Sequence, residues 1–277
     1  MNPGLAPATA SVLLVVLLGI LQGLAEFLPI SSSGHLVIAQ ELLRIPQTGI
    51  VLEVILHAAT LAAVLIAYRG DLVEIVRGFV QSLIHLPSER RAAIARGREA
   101  WLLVLATLPA GIAGLALRKP IEAIFDRPQM SAGFLIVTGL LLLATRFARV
   151  RCHAVGARTA LVMGCMQAVS LLPGISRSGA SISGGMLAGA DPVRAVRFSF
   201  LMSVPAILGS LVLEGPEVLR SAQSGMGAAY AAGFAAALIS GLVAIRLLVW
   251  LTRRGRFHWF GFYCIAAGIG AWIWLAR

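Results

Sequence analysis

Six uninterrupted apolar stretches occupy much of this chain, at about 50–68, 100–118, 131–148, 195–213, 228–251 and 257–275. Each is long enough for one helix across a bilayer, which takes about 20 residues. Two more stretches are apolar but broken. The first runs from about Ala10 to Leu43 and is interrupted by Leu28-Pro29-Ile30-Ser31-Ser32-Ser33-Gly34; the second runs from about Thr159 to Ala190 and is interrupted by Pro173-Gly174-Ile175-Ser176-Arg177-Ser178-Gly179. Proline removes a backbone donor and disfavours helix in the residue before it, so each region is expected to be two short helices around a polar break.

Composition agrees with a lipid-facing surface. Hydrophobic residues make up 58% of the 277, and charged residues only 13%. A soluble domain of this length needs far more charge to cover itself. The longest polar stretch, His85 to Glu99, is too short to enclose a core of its own. The expectation is therefore one membrane domain over 1–277. The region before Ser11 lacks the positive start of a cleaved leader. Cys152, Cys165 and Cys264 lack CxxC spacing and suggest neither a disulfide framework nor a zinc site.

The formal net charge is +11, and nearly all the cations are arginine. They cluster in short loops between apolar runs rather than on one basic face, which speaks against a nucleic-acid partner. Arg69 to Arg98, Arg146 to Arg158 and Arg253 to Arg256 carry most of them and are expected in the cytoplasm. Arg194 and Arg197 want the same side, so the second broken region should enter and leave there as a re-entrant pair. Working back through the span at 50–68 puts Gln47 outside, and the first broken region then dips in from the outside.

An internal repeat fits that arrangement. Gly19-Ile20-Leu21-Gln22 precedes Ser31-Ser32-Ser33-Gly34 at the same offset at which Gly164-Cys165-Met166-Gln167 precedes Ser176-Arg177-Ser178-Gly179. With opposite orientations, the halves (approximately 8–150 and 155–277) read as an inverted-topology repeat. The expected fold class is an all-α integral membrane protein, with about six full transmembrane helices plus two re-entrant helix pairs.

Irregular backbone at membrane depth survives only where it is buried in protein or lines a wet cavity. Ionisable residues there are candidates for function, and Glu26, His35 and Arg177 qualify. A purely structural Glu26–Arg177 pair would leave the surrounding serines unexplained. Each Ser-Gly break precedes a helix N-terminus, which suits an anion. Ser31, Ser33, Ser176, Ser178 and Ser181 are candidate binding hydroxyls, although any one of them could be a plain N-cap. With Arg177 offering a bidentate fork, the anion expected is a diphosphate. Ser32 and His35, three apart, share a helix face in the relation of nucleophile to base. Gln22 and Glu26, four apart, could hold a divalent cation, the glutamine carbonyl being the neutral ligand. Glu53 and His57 are weaker candidates within an apolar span. Asp71, Glu74 and Arg77 read as a solvated or interfacial face, and Trp259, Trp272 and Trp274 as interfacial anchors.

The stretch Gln22-Gly23-Leu24-Ala25-Glu26-Phe27-Leu28-Pro29-Ile30-Ser31-Ser32-Ser33-Gly34-His35 closely resembles the first signature of bacterial undecaprenyl-diphosphate phosphatases, the bacitracin-resistance family. Pro173-Gly174-Ile175-Ser176-Arg177-Ser178-Gly179-Ala180-Ser181-Ile182-Ser183-Gly184-Gly185 resembles the second. The similarity covers essentially the whole chain. It implies hydrolysis of undecaprenyl diphosphate to the monophosphate and inorganic phosphate in the bacterial plasma membrane. Ser32 falls at the nucleophile's position, with His35 and Glu26 as catalytic partners and Arg177 on the diphosphate. The resemblance also implies dependence on Mg2+ or Ca2+ and a site open to the periplasm, and it leaves room for a homodimer. Some family members carry Glu where this chain has Gln22, so the metal ligands are expected to differ here. The rival reading is a flippase or transporter, because broken helices in inverted repeats are also transporter architecture.

Overall fold

The computed structural model describes residues 8–43, 50–84, 97–125, 127–151, 154–221 and 226–276. Gln47, Cys152 and most of the polar stretch after His85 lie outside the described residues. Among those described are twelve α-helices, and none of the elements is a β-strand. The first region gives α1 (Ala8–Phe27) and α2 (Ser32–Leu43), followed by α3 (Ile50–Ala67) and α4 (Arg69–Ile84). Next come α5 (Arg98–Ala116), the short α6 (Arg118–Phe125) and α7 (Pro128–Ala144). The second region gives α8 (Ala157–Val169) and α9 (Arg177–Leu187), then α10 (Pro192–Ser221), α11 (Gly227–Arg253) and α12 (Trp259–Leu275).

All six expected spans are helices. Four of them, α5, α7, α10 and α11, are long and apolar enough to cross a membrane by themselves. The chain is thus an all-α multi-pass membrane protein. Both broken regions break where proline and glycine demand it, after Phe27 and after Val169. Ser32, Ser33 and Gly34 are not part of the break, however; they form the first turn of α2, just as Arg177, Ser178 and Gly179 form the first turn of α9.

One expectation is corrected at Arg69. The segment after this residue is not a loop but α4, which leaves α3 at 82°. Its Val73, Val76, Val80, Leu83 and Ile84 are exposed along one stripe. Such a stripe suits a helix lying along the membrane interface with its apolar face toward lipid. Asp71 is not simply solvated either. With Glu99 of α5 it grips the guanidinium of Arg197 on α10, with Nη2 2.5 Å from the Asp71 carboxylate. This network ties three helices at the arginine-rich end.

Helix packing exchanges the two halves of the chain. α1 lies along α11, and α8 lies along α5, while α3 packs on α10 and α7 on α12. The close approaches use the glycines of the sequence repeat. A Cβ on Gly19 would sit 2.4 Å from the Gly233 carbonyl oxygen, and one on Gly164 would sit 2.2 Å from that of Ala106. Small residues at these positions let the backbones touch, as membrane helices require when apolar burial cannot drive their association. Trp259, Trp272 and Trp274 remain largely exposed on α12, in keeping with interfacial anchoring.

Candidate functional site

The two breaks meet. Ser178 Oγ of the second donates to the Leu28 carbonyl of the first at 3.3 Å. A Cβ on Gly34 would lie only 2.9 Å from the Gly174 Cα, so side chains are excluded where the two segments cross. Gly174 itself has φ +97, a conformation natural to glycine. Neighbouring spans fix both breaks. Thr138 of α7 donates to the Gly174 carbonyl at 2.8 Å and accepts from the Ser176 amide at 3.0 Å. On the other side, Cys264 of α12 contributes a weak S–H donor to the Pro29 carbonyl at 3.4 Å.

Glu26 stands at the centre, 7% exposed at the last turn of α1. Its Oε1 accepts from Arg177 Nη2 at 2.6 Å, and Arg177 is itself 18% exposed. Its Oε2 accepts from the Ser32 hydroxyl at 2.8 Å and from Gln22 Nε2 at 3.1 Å. A single carboxylate therefore joins an arginine from one half to a serine hydroxyl from the other. A buried pair alone is weak ground for stability, since desolvation offsets much of the attraction. The value of this pair lies in what it orients.

The serines divide by their bonds. Ser176 caps α9 by accepting from the Gly179 amide at 3.1 Å. Ser31 does the same for α2 from the Gly34 amide at 3.2 Å, while holding φ 68, a left-handed conformation that strains a residue with a side chain. Ser33 and Ser178 touch these caps through their hydroxyls, at 3.4 Å and 3.3 Å respectively. Ser181 faces away: its hydroxyl bonds the Arg177 carbonyl at 2.8 Å and Ser199 of α10 at 2.6 Å. It braces the turn that carries Arg177 rather than lining the space beside Glu26.

Two pairings differ from those expected. Ser32 bonds Glu26 and not His35, although the i,i+3 spacing suggested otherwise. His35 Nδ1 turns back to the Ser31 carbonyl at 2.9 Å, and its Nε2 meets the Tyr263 hydroxyl at 2.8 Å. The two rings stack at 7° with centroids 5.6 Å apart. A carbonyl can only accept, so Nδ1 carries the proton, and in the neutral ring Nε2 accepts from Tyr263. The group placed to take the Ser32 proton is Glu26. Gln22, likewise, turns its amide nitrogen to Glu26. That is the only satisfiable orientation beside a carboxylate, and it points the carbonyl elsewhere.

Among the described residues no three His, Cys, Asp or Glu side chains gather as a metal cluster. The donor set at Glu26 is one carboxylate already engaged by a guanidinium. It does not suit a cation held by protein ligands alone. It does fit a cation that arrives with a diphosphate and takes most of its oxygens from phosphate and water, as Mg2+ commonly does.

The family described as "Bacitracin resistance protein BacA" matches residues 15–270. The chain belongs to this family. Curated relatives agree over nearly the full length. The protein from Rhodopirellula baltica named "Undecaprenyl-diphosphatase" is 40% identical over 260 residues, covering 92% of this chain and 95% of its own. Those of the same name from Korarchaeum cryptofilum and Salinibacter ruber are each 37% identical, over 254 and 267 residues. They cover 92% and 93% of this chain, and 95% and 97% of their own. The BacA match covers the break in each of the two regions, so Glu26, Ser32 and Arg177 all fall inside it.

Sequence reasoning missed Tyr263, Thr138 and Ser199. Each is an uncharged polar residue within an apolar span, and that was the one signal available. Its partner lies 228 residues away for Tyr263, 36 and 38 for Thr138, and 18 for Ser199.

Proposed function

We propose that the chain hydrolyses undecaprenyl diphosphate to undecaprenyl phosphate and inorganic phosphate, returning the lipid carrier to peptidoglycan synthesis. The observation that carries this reading is the Ser32 hydroxyl, 2.8 Å from a buried carboxylate whose other oxygen is held by Arg177. The names of the relatives supply the substrate.

In this mechanism the terminal phosphate lies between the first turns of α2 and α9, where unpaired amides and the helix dipoles favour an anion. Arg177 spends one N–H on Glu26 and directs others to phosphate oxygens. Glu26 takes the proton as Ser32 Oγ attacks the terminal phosphorus. The bridging P–O bond breaks, and undecaprenyl phosphate leaves with the electron pair. Glu26 passes that proton on to bulk water, then takes a proton from the water that attacks the phosphoserine. This second proton is the one returned to Ser32 Oγ as inorganic phosphate departs. His35, with both ring nitrogens engaged by Ser31 and Tyr263, fixes the first turn of α2 that carries Ser32 rather than deprotonating it. Ser31 and Ser176, with Ser33 and Ser178 beside them, hold the two helix starts in place through their caps. When bound, Mg2+ or Ca2+ would be held by Glu26 and the diphosphate and would neutralise charge developing on the leaving group.

The proposal places the protein in the bacterial plasma membrane, with halves 8–150 and 155–277 as an inverted repeat and no nucleic-acid partner. The proposal leaves room for a homodimer. The exchanged packing of α1 on α11 and α8 on α5 also suits a transporter of the same lipid. Phosphate release by purified protein from undecaprenyl diphosphate, with and without a divalent cation, separates the two. A transporter binds the lipid and releases no phosphate.

A further inference from the structure

Beyond the Glu26 site, α11 runs on into a second polar environment. A Cβ on Gly241 would sit 2.9 Å from the Phe27 ring and 3.2 Å from Ala63 Cβ, so the residue next to Glu26 is level with Gly241. At 1.5 Å per residue, Arg246 starts about 8 Å further along the helix and Arg253 about 18 Å. A cavity of about 690 Å3 opens along this end, lined by Tyr68, Arg69, Arg246, Trp250 and Arg253 among apolar neighbours. Phe200 separates it from the Glu26 site, packing on Phe27 with centroids 5.4 Å apart and on Tyr68 at 5.9 Å.

Three cations thus face one cavity, and no carboxylate lines it. Among the described residues the ion pairs engage Arg177 and Arg197, not these three. Depth sharpens the point. Arg69 opens α4, the helix whose stripe suits the interface, and Arg253 closes α11, so both sit at headgroup level. Arg246 begins about 10 Å deeper, two turns into the hydrocarbon, where an unpartnered guanidinium is costly. Its long side chain can rise to the interface along the cavity wall. On the neighbouring face of α11, Ile239, Val243 and Leu247 are exposed at i, i+4 spacing and form an apolar track running up to the cavity.

We propose that this cavity binds the phosphate of an anionic lipid, with the guanidinium groups on the headgroup and the hydrocarbon chains along the Ile239–Leu247 track. Trp250, over which Arg254 lies at 4.2 Å, forms its amphipathic wall at the interface. Basic pockets between helices at a membrane surface recognise headgroups by this combination of charge and depth. The site does not depend on the phosphatase reading, because its readout is bound lipid rather than turnover.

The test uses the purified full chain and three ligand conditions: phosphatidylglycerol, phosphatidylcholine, and phosphatidylglycerol with excess inorganic phosphate. Native mass spectrometry reads the retained lipid. The wild type should retain phosphatidylglycerol over phosphatidylcholine, and Arg69→Gln/Arg246→Gln should lower that retention by about fivefold per arginine removed. Arg146→Gln, which removes one charge as Arg69→Gln alone does but at an exposed position outside the cavity, should retain it fully. Should the double variant not yield monodisperse protein, Arg69→Gln at the exposed helix junction should show the single fivefold loss. Equal retention of both lipids by the wild type would overturn the proposal. So would undiminished retention by the cavity variants, or an equal loss in Arg146→Gln. Displacement of the lipid by inorganic phosphate would refute a lipid occupant.

Discussion

Replacing Arg177 by lysine separates charge from geometry at the Glu26 site. The guanidinium reaches Glu26 Oε1 at 2.6 Å with one nitrogen, leaving the rest of a planar fork for phosphate oxygens. Lysine keeps the positive charge beside Glu26 but presents a compact ammonium without that fork. Losing one charge-assisted hydrogen bond to phosphate costs about 1.5–3 kcal/mol. Expressed in the transition state, this is roughly a 10- to 150-fold fall in kcat/KM. Stability should change far less, because Glu26 retains a cation. Arg177→Ala, by contrast, leaves a buried carboxylate uncompensated and should cost about 3–5 kcal/mol of stability. The assay is phosphate release from undecaprenyl diphosphate across substrate concentrations, with thermal unfolding measured on the same preparations. A well-folded lysine variant with near-normal kcat/KM would refute the phosphate-clamp role.

Three further outcomes test separate parts of the account. Gln22→Glu places a second carboxylate next to Glu26 and should lower the cation concentration needed for half-maximal activity; an unchanged or higher requirement would show that the cation is not held here. Tyr263→Phe removes the hydroxyl that fixes His35 Nε2 and should lower kcat/KM several-fold, with a stability change within about 1 kcal/mol, so full activity would remove Tyr263 from the site. Gly164→Ala sets a methyl 2.2 Å from the Ala106 carbonyl oxygen and should lower the unfolding temperature by forcing α8 off α5, while an unaltered temperature would contradict the close packing.

The sequence was most informative where physics leaves few choices. Long apolar runs can satisfy their backbone in lipid only as helices, so the helices over all six runs could be read directly, four of them long enough to cross a membrane alone. Pro29 and Pro173 marked both breaks, and the GxxQ–SxSG repeat pointed to their meeting, now visible in the Ser178–Leu28 contact. Glu26 and Arg177 stood out because ionisable residues are expensive at membrane depth. Side-chain partners were harder to read. The Ser32–His35 spacing allowed a shared face, but Tyr263, 228 residues on, draws the imidazole away and leaves Ser32 to Glu26. The α3–α4 bend was also missed. The arginines after Tyr68 read as a loop, although Val73, Val76 and Val80 carry a helical stripe.

The most direct measurement of the central claim is phosphate release by Ser32→Ala over a range of divalent-cation concentrations. Ser32 donates its hydroxyl to Glu26 at 2.8 Å, and alanine removes that nucleophile while leaving the Glu26–Arg177 pair in place. The account predicts no phosphate release at any cation concentration, in protein whose unfolding temperature stays near that of the wild type, because added cation cannot replace a missing nucleophile. Substantial activity regained at high cation would contradict it: water would then be the attacking group, and Ser32 no more than a phosphate ligand.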